Sequence, residues 1–553
     1  MNWTKRAALM AATLCTLGLA ALPAKACTGL LVGKKASADG SVMISYAADS
    51  HTLYGELYHY PAQVWPKGTM RQIIEWDSNQ PIGYIPEAHE TYNVIGNMNQ
   101  YQVAITESTW GGREELASEE GLIDYGSLIY IALQRSKSAR EAIKVMTDLV
   151  ATYGYRSSGE SFSIADKNEI WILEMIGKGP GKKGAVWVAM RIPDNAIAAH
   201  ANQARIQQIK FNDPENCLYS PDVIDLAREK GYFKGKDKDF SFAKAYNPYT
   251  PDNLRGCEAR VWAFFHEFAP DMDKYQAFAM GDTHAEPMPL WVIPSKKLTV
   301  ADVRNMMRNH YEGTPMDMTQ DVGAGPYKVP YRWRPMAWEK DGKTYFNERA
   351  IATQQTGFVL VAQCRGWLPD EVGPILWFGV DDANTAVFTP MYANILATPE
   401  CYRVGNGDMM HFSWTSAFWI HNWVANMAYA RYEPMIQDIR PVQQRLEAGF
   451  DKQVKEIDAQ AVALLKESPE KARLFLTQYA AEAANGATAR WKSLGEYLLV
   501  KYMDGNRKKE VNGQFKTNGH GLSAMPDFPG YDSAYYNQIV EETGDKFLIP
   551  QNK

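Results

Sequence analysis

Past residue 26 the chain falls into short apolar runs separated by polar turns. TGLLVG and SVMISYA are two strand-length runs, and KKASADG between them ends in Asp39-Gly40, which is turn chemistry. The pattern predicts a hairpin with Cys27 at its very start. YNVIGNMNQYQVAITEST (92–109) predicts a second hairpin. In residues 124–154 the period changes. Ala139, Ala142, Ile143, Met146 and Leu149 recur at helical spacing, and Ser138 with Glu141 fits a capping box at the start of that helix. Strands resume in SFSIAD, EIWILEMIG, GAVWVAMRI and AIAAHAN, with turns at 166–168 and 177–184. Trp171, Leu173 and Met175 alternate with Ile170 and Ile172, so both faces are apolar, as in a strand buried between layers. KKLTVADVRNMMRNHYEG (296–313) predicts a further helix with Thr299 and Asp302 as its capping box. GFVLVAQCR and ILWFGVDDANTAVFTPMY read as strands. From Trp414 to about 503 the chain reads as long helices, and the aromatic run 411–432 as a core helix. The tail after 504 shows little periodicity. Strands, helices and strands in that order predict an α+β chain whose sheets carry helical layers outside.

The first residues change the picture. Lys5 and Arg6, the apolar run 7–22 and the small-residue triplet Ala24-Lys25-Ala26 form an export signal, residues 1–26, with cleavage just before Cys27. The run is shorter than the ~20 apolar residues that span a bilayer, so a retained anchor is disfavoured. The expectation is a chain exported to a periplasm or cell exterior, with no membrane segment after processing. Composition is that of a globular protein, 46% hydrophobic and 22% charged. A net charge of −6 over 553 residues offers no basic field for nucleic acid. Removal of the signal takes Cys15 and leaves Cys27, Cys217, Cys257, Cys364 and Cys401, an odd set in which pairing or burial of the last four leaves Cys27 over.

Several motifs dissolve on inspection. Gly179-Pro180-Gly181-Lys182-Lys183-Gly184 matches a dinucleotide pattern, but it lies between two strands and reads as a hairpin loop. There is no P-loop, no H-E-x-x-H, no C-x-x-C and no G-x-S-x-G, and the ten histidines are scattered, so neither a metal nor a cofactor is expected. Cys27 is different. Cleavage after Ala26 would give it a free α-amine, whose ordinary pKa of ~7.7–8 leaves a useful neutral fraction near neutral pH. That amine can take the thiol proton, so one residue supplies both nucleophile and base. Two other readings stand beside this one: the lipid-bearing cysteine of a lipoprotein, for which Ala24 and Lys25 are poor matches, and an ordinary residue beside an imprecise cleavage point.

CTGLLVGKKASADGSVMISYAADS (27–50) resembles the opening of the dipeptidase A-type cysteine peptidases, N-terminal-nucleophile hydrolases related to bile-salt hydrolases and penicillin V acylases. The matching positions are Cys27-Thr28, Leu30 to Lys34, Ala36-Ser37-Ala38-Asp39-Gly40-Ser41 and Asp49-Ser50, with weaker echoes at Gly96-Asn97-Met98-Asn99, Ala201-Asn202 and Arg260. The resemblance covers roughly residues 27–400. It implies a four-layer αββα sandwich over 27–410, with a mostly helical region, 411–553, packed on it. It also implies catalytic roles: Cys27 as nucleophile, Asp49 holding the α-amine, Asn202 binding the oxyanion and Arg260 supporting the network. Asn99, Tyr46 and Arg205 are the candidates for binding substrate, with the turn of its hairpin as the alternative role for Asn99. Two departures stand out: Tyr46 where the family usually has Arg, and Gln100 where Glu is common. Arg205 or Arg260 could supply the missing charge.

The leading expectation is an exported dipeptidase that cleaves dipeptides or short peptides with a free N-terminus through a Cys27 thioester. The alternatives are an acylase of the same fold acting on bile-acid conjugates or N-acyl amino acids, an inactive homologue, and a lipid-anchored binding protein. Acidic residues near Cys27 would favour peptides, and an apolar tunnel would favour acyl groups. Assembly into homo-oligomers is left open.

Overall fold

The computed structural model describes residues 27–550, so the export signal expected at 1–26 lies outside the described residues. Two antiparallel sheets make the centre. The first has seven strands in the order Trp291–Val292, Ile197–His200, Gly29–Val32, Val42–Asp49, Thr356–Cys364, Pro374–Val380 and Thr389–Tyr392. The second has eight, in the order Cys217–Tyr219, Ala185–Ile192, Ile170–Gly177, Gly159–Ala165, Ala104–Gly111, Met98–Asn99, Val94–Ile95 and His59–Tyr60. The predicted hairpin after Cys27 is present, with Leu31 opposite Ile44 and Val32 opposite Met43. Every residue of Val42–Asp49 and of Thr356–Cys364 is buried, because these strands have layers on both faces.

The sheets meet through Val42–Asp49, which packs against both Ala104–Gly111 and Gly159–Ala165. His200 bridges them. Its Nδ1 shares a hydrogen bond with the Ser108 hydroxyl and its Nε2 with that of Ser163, each at 2.6 Å. Burial first, then Arg205 and Arg260, lower its pKa to about 3, so the ring is neutral in the folded chain.

Helices Tyr125–Arg135 and Ala139–Tyr153 cover the eight-stranded sheet. The second buries Ala139, Ala142, Ile143, Met146 and Leu149 as their spacing predicts. Its expected capping box is only half made. The Ser138 hydroxyl accepts the Glu141 N–H at 3.2 Å, but the Glu141 carboxylate reaches one residue further back, to the N–H of Lys137 at 2.7 Å. The box at Thr299 and Asp302 is complete. Its helix is confined to Val300–Met306 and does not fill 296–313, and Tyr311 beyond it has a φ of 67°, outside helical backbone.

The C-terminal helices are Ala417–Ala430, Tyr432–Leu465 and Pro469–Tyr502. The expected core helix over 411–432 is therefore shorter. Phe412 and Trp414 precede it and are 48% and 54% exposed. Ion pairs between Arg304 and Asp451 at 2.6 Å and Arg308 and Glu447 at 2.5 Å tie the long helix Tyr432–Leu465 to helix Val300–Met306 and the residues after it, and a pair between Arg365 and Asp458 at 2.5 Å ties it to the end of strand Thr356–Cys364. The main hydrophobic core draws on residues from Cys27 to Tyr502, and a second cluster lies between the eight-stranded sheet and helices Tyr125–Arg135 and Ala139–Tyr153. Past 504, where little regularity is expected, a small hairpin pairs Glu510–Val511 with Gln514–Phe515, and an Asp532-capped helix spans Ser533–Thr543 without burying a residue. Cys27, Cys217, Cys257, Cys364 and Cys401 are all free thiols. The loop 179–184 joins two strands, with its three glycines at positive φ.

His200 yields a prediction. Its folded pKa is depressed, so the stability it contributes is present above the ordinary histidine value near 6.5 and is lost as pH falls toward 3. Urea midpoints followed from pH 7 to 4 should fall more steeply for wild type than for His200→Asn. The difference should approach one proton, about 1.4 kcal/mol per pH unit. Parallel curves would contradict the assignment.

Candidate active site

Cys27 precedes the first strand, and Thr28 pairs with Ala47: the Thr28 N–H donates to the Ala47 carbonyl at 3.3 Å and the Ala47 N–H to the Thr28 carbonyl at 3.0 Å. This register brings the Cys27 thiol beside Tyr46, with Sγ 3.6 Å from the phenol oxygen. From the facing sheet comes Glu107, whose Oε1 accepts from the thiol at 3.3 Å and also from the Tyr46 hydroxyl. Glu107 reaches this point because its strand is open there. The neighbouring strand pairs only at Ala104 with Met98, and the Asn97 side chain closes the edge at the Ile105 carbonyl, 2.9 Å away. All three groups are buried. Burial first, then the charges of Glu107 and Asp49, push the Cys27 thiol well above its usual value. Burial likewise raises Tyr46, which stays a phenol and donates. The thiol is therefore protonated at neutral pH and needs a base to react.

Behind Cys27 lies a network of arginines. Arg260, on helix Ala259–Phe268, is fully buried. Its Nη1 donates to the Cys27 carbonyl and to the Thr28 hydroxyl, both at 2.8 Å. Its Nη2 donates to the Ala201 carbonyl at 3.2 Å and to Asn202 Oδ1 at 2.9 Å, and its Nε to the Gly256 carbonyl at 3.0 Å. Asn202 stands at a φ of 59°, a left-handed position that asparagine tolerates. Its Nδ2 donates to the Thr109 carbonyl at 2.5 Å, and its Oδ1 also accepts from Arg349 at 3.2 Å. Arg349 meets Asp49 at 2.8 Å, and the Thr356 hydroxyl donates to the other Asp49 oxygen at 2.7 Å, beside a bulge between Thr356 and Phe358. Burial raises the Asp49 carboxyl to about 7, against the opposing pull of Arg349, Thr356, Arg260 and Arg334.

In front of Cys27 a small open cavity is walled by Trp76, Tyr125, Tyr130 and Phe358. It contains three acids, Asp49, Asp77 and Glu107, and among the described residues no Lys or Arg lines it. Tyr125 donates to Asp77 at 3.0 Å near the mouth. Gly126 is required here, since a Cβ would come within 2.5 Å of the Trp76 ring.

A sequence model of peptidase family C69 matches residues 26–59 and 52–445. The chain belongs to that family. It is 27% identical over 431 residues to a probable dipeptidase of Latilactobacillus sakei, covering 74% of this chain and 82% of that one. It is 26% identical over 435 residues to dipeptidase A of Lactobacillus helveticus, with 73% and 82% covered. A probable dipeptidase B of Streptococcus pyogenes serotype M1 is 23% identical over 509 residues, with 87% and 94% covered. The C69 chain is thus a peptidase, a hydrolase of peptide bonds.

Of the residues singled out from sequence, the fold brings Cys27, Tyr46 and Asp49 to the cavity and sets Asn202 and Arg260 directly behind Cys27. It does not bring Asn99 there. Asn99 Oδ1 accepts the N–H groups of Tyr101 and Val103, and its Nδ2 donates to the carbonyls of Leu133 and Ser136, so it closes a turn onto a helix end. Asn97, two residues earlier, lines the cavity instead. Arg205 also lies away from it, paired with Glu258 at 2.9 Å and donating to the carbonyls of Ala199, Pro289 and Leu290. It does not replace the charge absent at Tyr46. Sequence reasoning missed Glu107, Asp77, Trp76, Tyr125 and Arg349. For Glu107 the available signal was a lone carboxylate inside the strand-length run AITESTWG.

Arg260→Ala should cost about 3 kcal/mol or more in urea unfolding, because it strips the donor from a set of buried acceptors. Arg260→Lys should recover only part of that, having no planar fork to reach them together. A loss within about 0.5 kcal/mol for the alanine variant would show that the network does not hold the site.

Proposed function

We propose that this C69 peptidase is an exported dipeptidase whose working form begins at Cys27. The observation that carries the reading is a buried thiol, hydrogen-bonded to Glu107 beside Tyr46, that faces an acid-lined cavity. The acids of this cavity suit the free ammonium group of a small peptide, which an acylated substrate lacks. The names of the relatives, dipeptidases all, point the same way. The two facing sheets with helices outside them are read as the αββα sandwich of the N-terminal-nucleophile hydrolases. Residues 1–26 are read as an export signal that delivers the chain to a periplasm or cell exterior.

The proposed chemistry uses one residue twice. The neutral α-amine of Cys27 takes the thiol proton as Sγ attacks the scissile carbonyl carbon. The carbonyl oxygen becomes an oxyanion, for which the proposed donor from this chain is the second amide N–H of Asn202, the first being held by the Thr109 carbonyl. Collapse breaks the C–N bond, and the α-ammonium returns its proton to the departing amine. A water then gives a proton to the α-amine and attacks the thioester. The acid leaves and the thiol is restored. Asp49, in its ionised form, would hold the α-ammonium between these steps. Histidine is not needed, and His200 is held between Ser108 and Ser163, away from the cavity lining.

The test is product formation from free dipeptides, N-acetylated dipeptides and glycine-conjugated bile acids, with mature wild type beside Cys27→Ala. Cleavage of the free dipeptides alone, lost at least 10³-fold in the variant, is expected. Cleavage of the bile-acid conjugates instead would move the substrate class to the acylases. Equal activity of wild type and variant would remove Cys27 as the nucleophile.

A further inference from the structure

We propose that Arg334 takes the C-terminal carboxylate of the substrate, with Gln355 as its positioning residue; this rests on the dipeptide reading above. Asp49 and Ser50 line the cavity, and Arg334 stands just outside that lining, behind their rim. Gln355 makes the link. Its backbone carbonyl accepts the Ser50 N–H at 3.0 Å, and its side-chain Oε1 accepts from Arg334 Nε at 3.1 Å and Nη2 at 2.6 Å. Gln355 is buried, so it holds the guanidinium in one orientation. Asp49, the carboxylate whose charge reaches Arg334, is already bonded to Arg349. Among the described residues Arg334 therefore rests on a neutral amide and forms no ion pair. A half-buried guanidinium is weakly hydrated and presents a planar fork, which matches a carboxylate. The spacing also fits. The register that pairs Thr28 with Ala47 sets Cys27 level with Ala48, and Ser50 lies two residues further, about 7 Å along the chain. A scissile carbonyl carbon in attack range is about 3–3.5 Å from Sγ. The terminal carboxyl carbon of a dipeptide is one extended residue beyond it, at most about 3.6 Å. The carboxylate of a dipeptide thus comes level with Ser50, within reach of the Arg334 side chain. A third residue would carry the carboxylate about 3.6 Å past that point, so the same contact limits the length of the substrate.

The experiment measures kcat and KM for alanyl-alanine and for alanyl-alaninamide, which differs only in lacking the terminal carboxylate. The rate of Cys27 alkylation by iodoacetamide serves as an independent reading of the thiol. Wild type is expected to prefer alanyl-alanine by about 10²-fold in kcat/KM, because the amide leaves the guanidinium unmatched. Arg334→Gln should reduce that preference at least tenfold, chiefly by raising KM for alanyl-alanine, with Cys27 still alkylated at the wild-type rate. Gln355→Met, which frees the guanidinium to turn away, should reduce the preference in the same direction by less. Wild type that cleaves both compounds equally well overturns this inference alone, and so does an unchanged preference in Arg334→Gln. A parallel fall for both compounds in Arg334→Gln also overturns it, because Arg334 would then act on the reacting groups through Asp49. Wild type that cleaves neither compound overturns the dipeptide reading and this inference with it.

Discussion

A fully buried guanidinium has no water to turn to, so every N–H it carries must find a protein acceptor or cost stability. Arg260 meets that condition by reaching three separate stretches of chain: the Cys27-Thr28 entry to the first strand, the Ala201-Asn202 turn, and the Gly256 carbonyl one turn back on its own helical segment. The site follows from this constraint. Cys27 has a fixed backbone because its carbonyl is held from behind, and its side chain can only point forward between Tyr46 and Glu107. Asn202 is held in a left-handed conformation by the same guanidinium and by Arg349.

The charges around Cys27 are segregated. Arg260 and Arg349 stand behind the nucleophile with Asp49 between them and the cavity, while Glu107 and Asp77 stand in front. Burial and the nearby carboxylates disfavour a thiolate, so this peptidase does not rest on a preformed anion of the kind found where a cysteine faces a cation. A neutral thiol in such a place becomes useful only when a base sits on it, and the base that the proposed processing creates is the α-amine of the same residue.

Much of this was legible in the sequence because it is local. The opening hairpin, the alternation in EIWILEMIG and the Thr299–Asp302 box depend on residues a few positions apart, and each is present. Asp49 and Tyr46 are placed near Cys27 by the family resemblance, and the pairing of Thr28 with Ala47 in the structure accounts for it. What escaped notice depends on distant pairing. Arg349 lies 300 residues from the Asp49 it holds, and Glu107 lies 80 from Cys27. Neither distance leaves a periodic trace. Asn97 and Asn99 stand in one short motif, and only the strand edge decides which of them faces the cavity. The helix expected over 296–313 ends at Met306, because the backbone turns away there although apolar spacing continues.

The central claim is that one residue supplies nucleophile and base. It is tested most directly by comparing dipeptide turnover of two proteins, one beginning at Cys27 and one carrying a single additional residue, Ala26, that cannot be removed. The added residue turns the α-amine into an amide and leaves the thiol in place. The account predicts that turnover falls by at least 10²-fold while Cys27 is still alkylated. Equal turnover by the two proteins would contradict it.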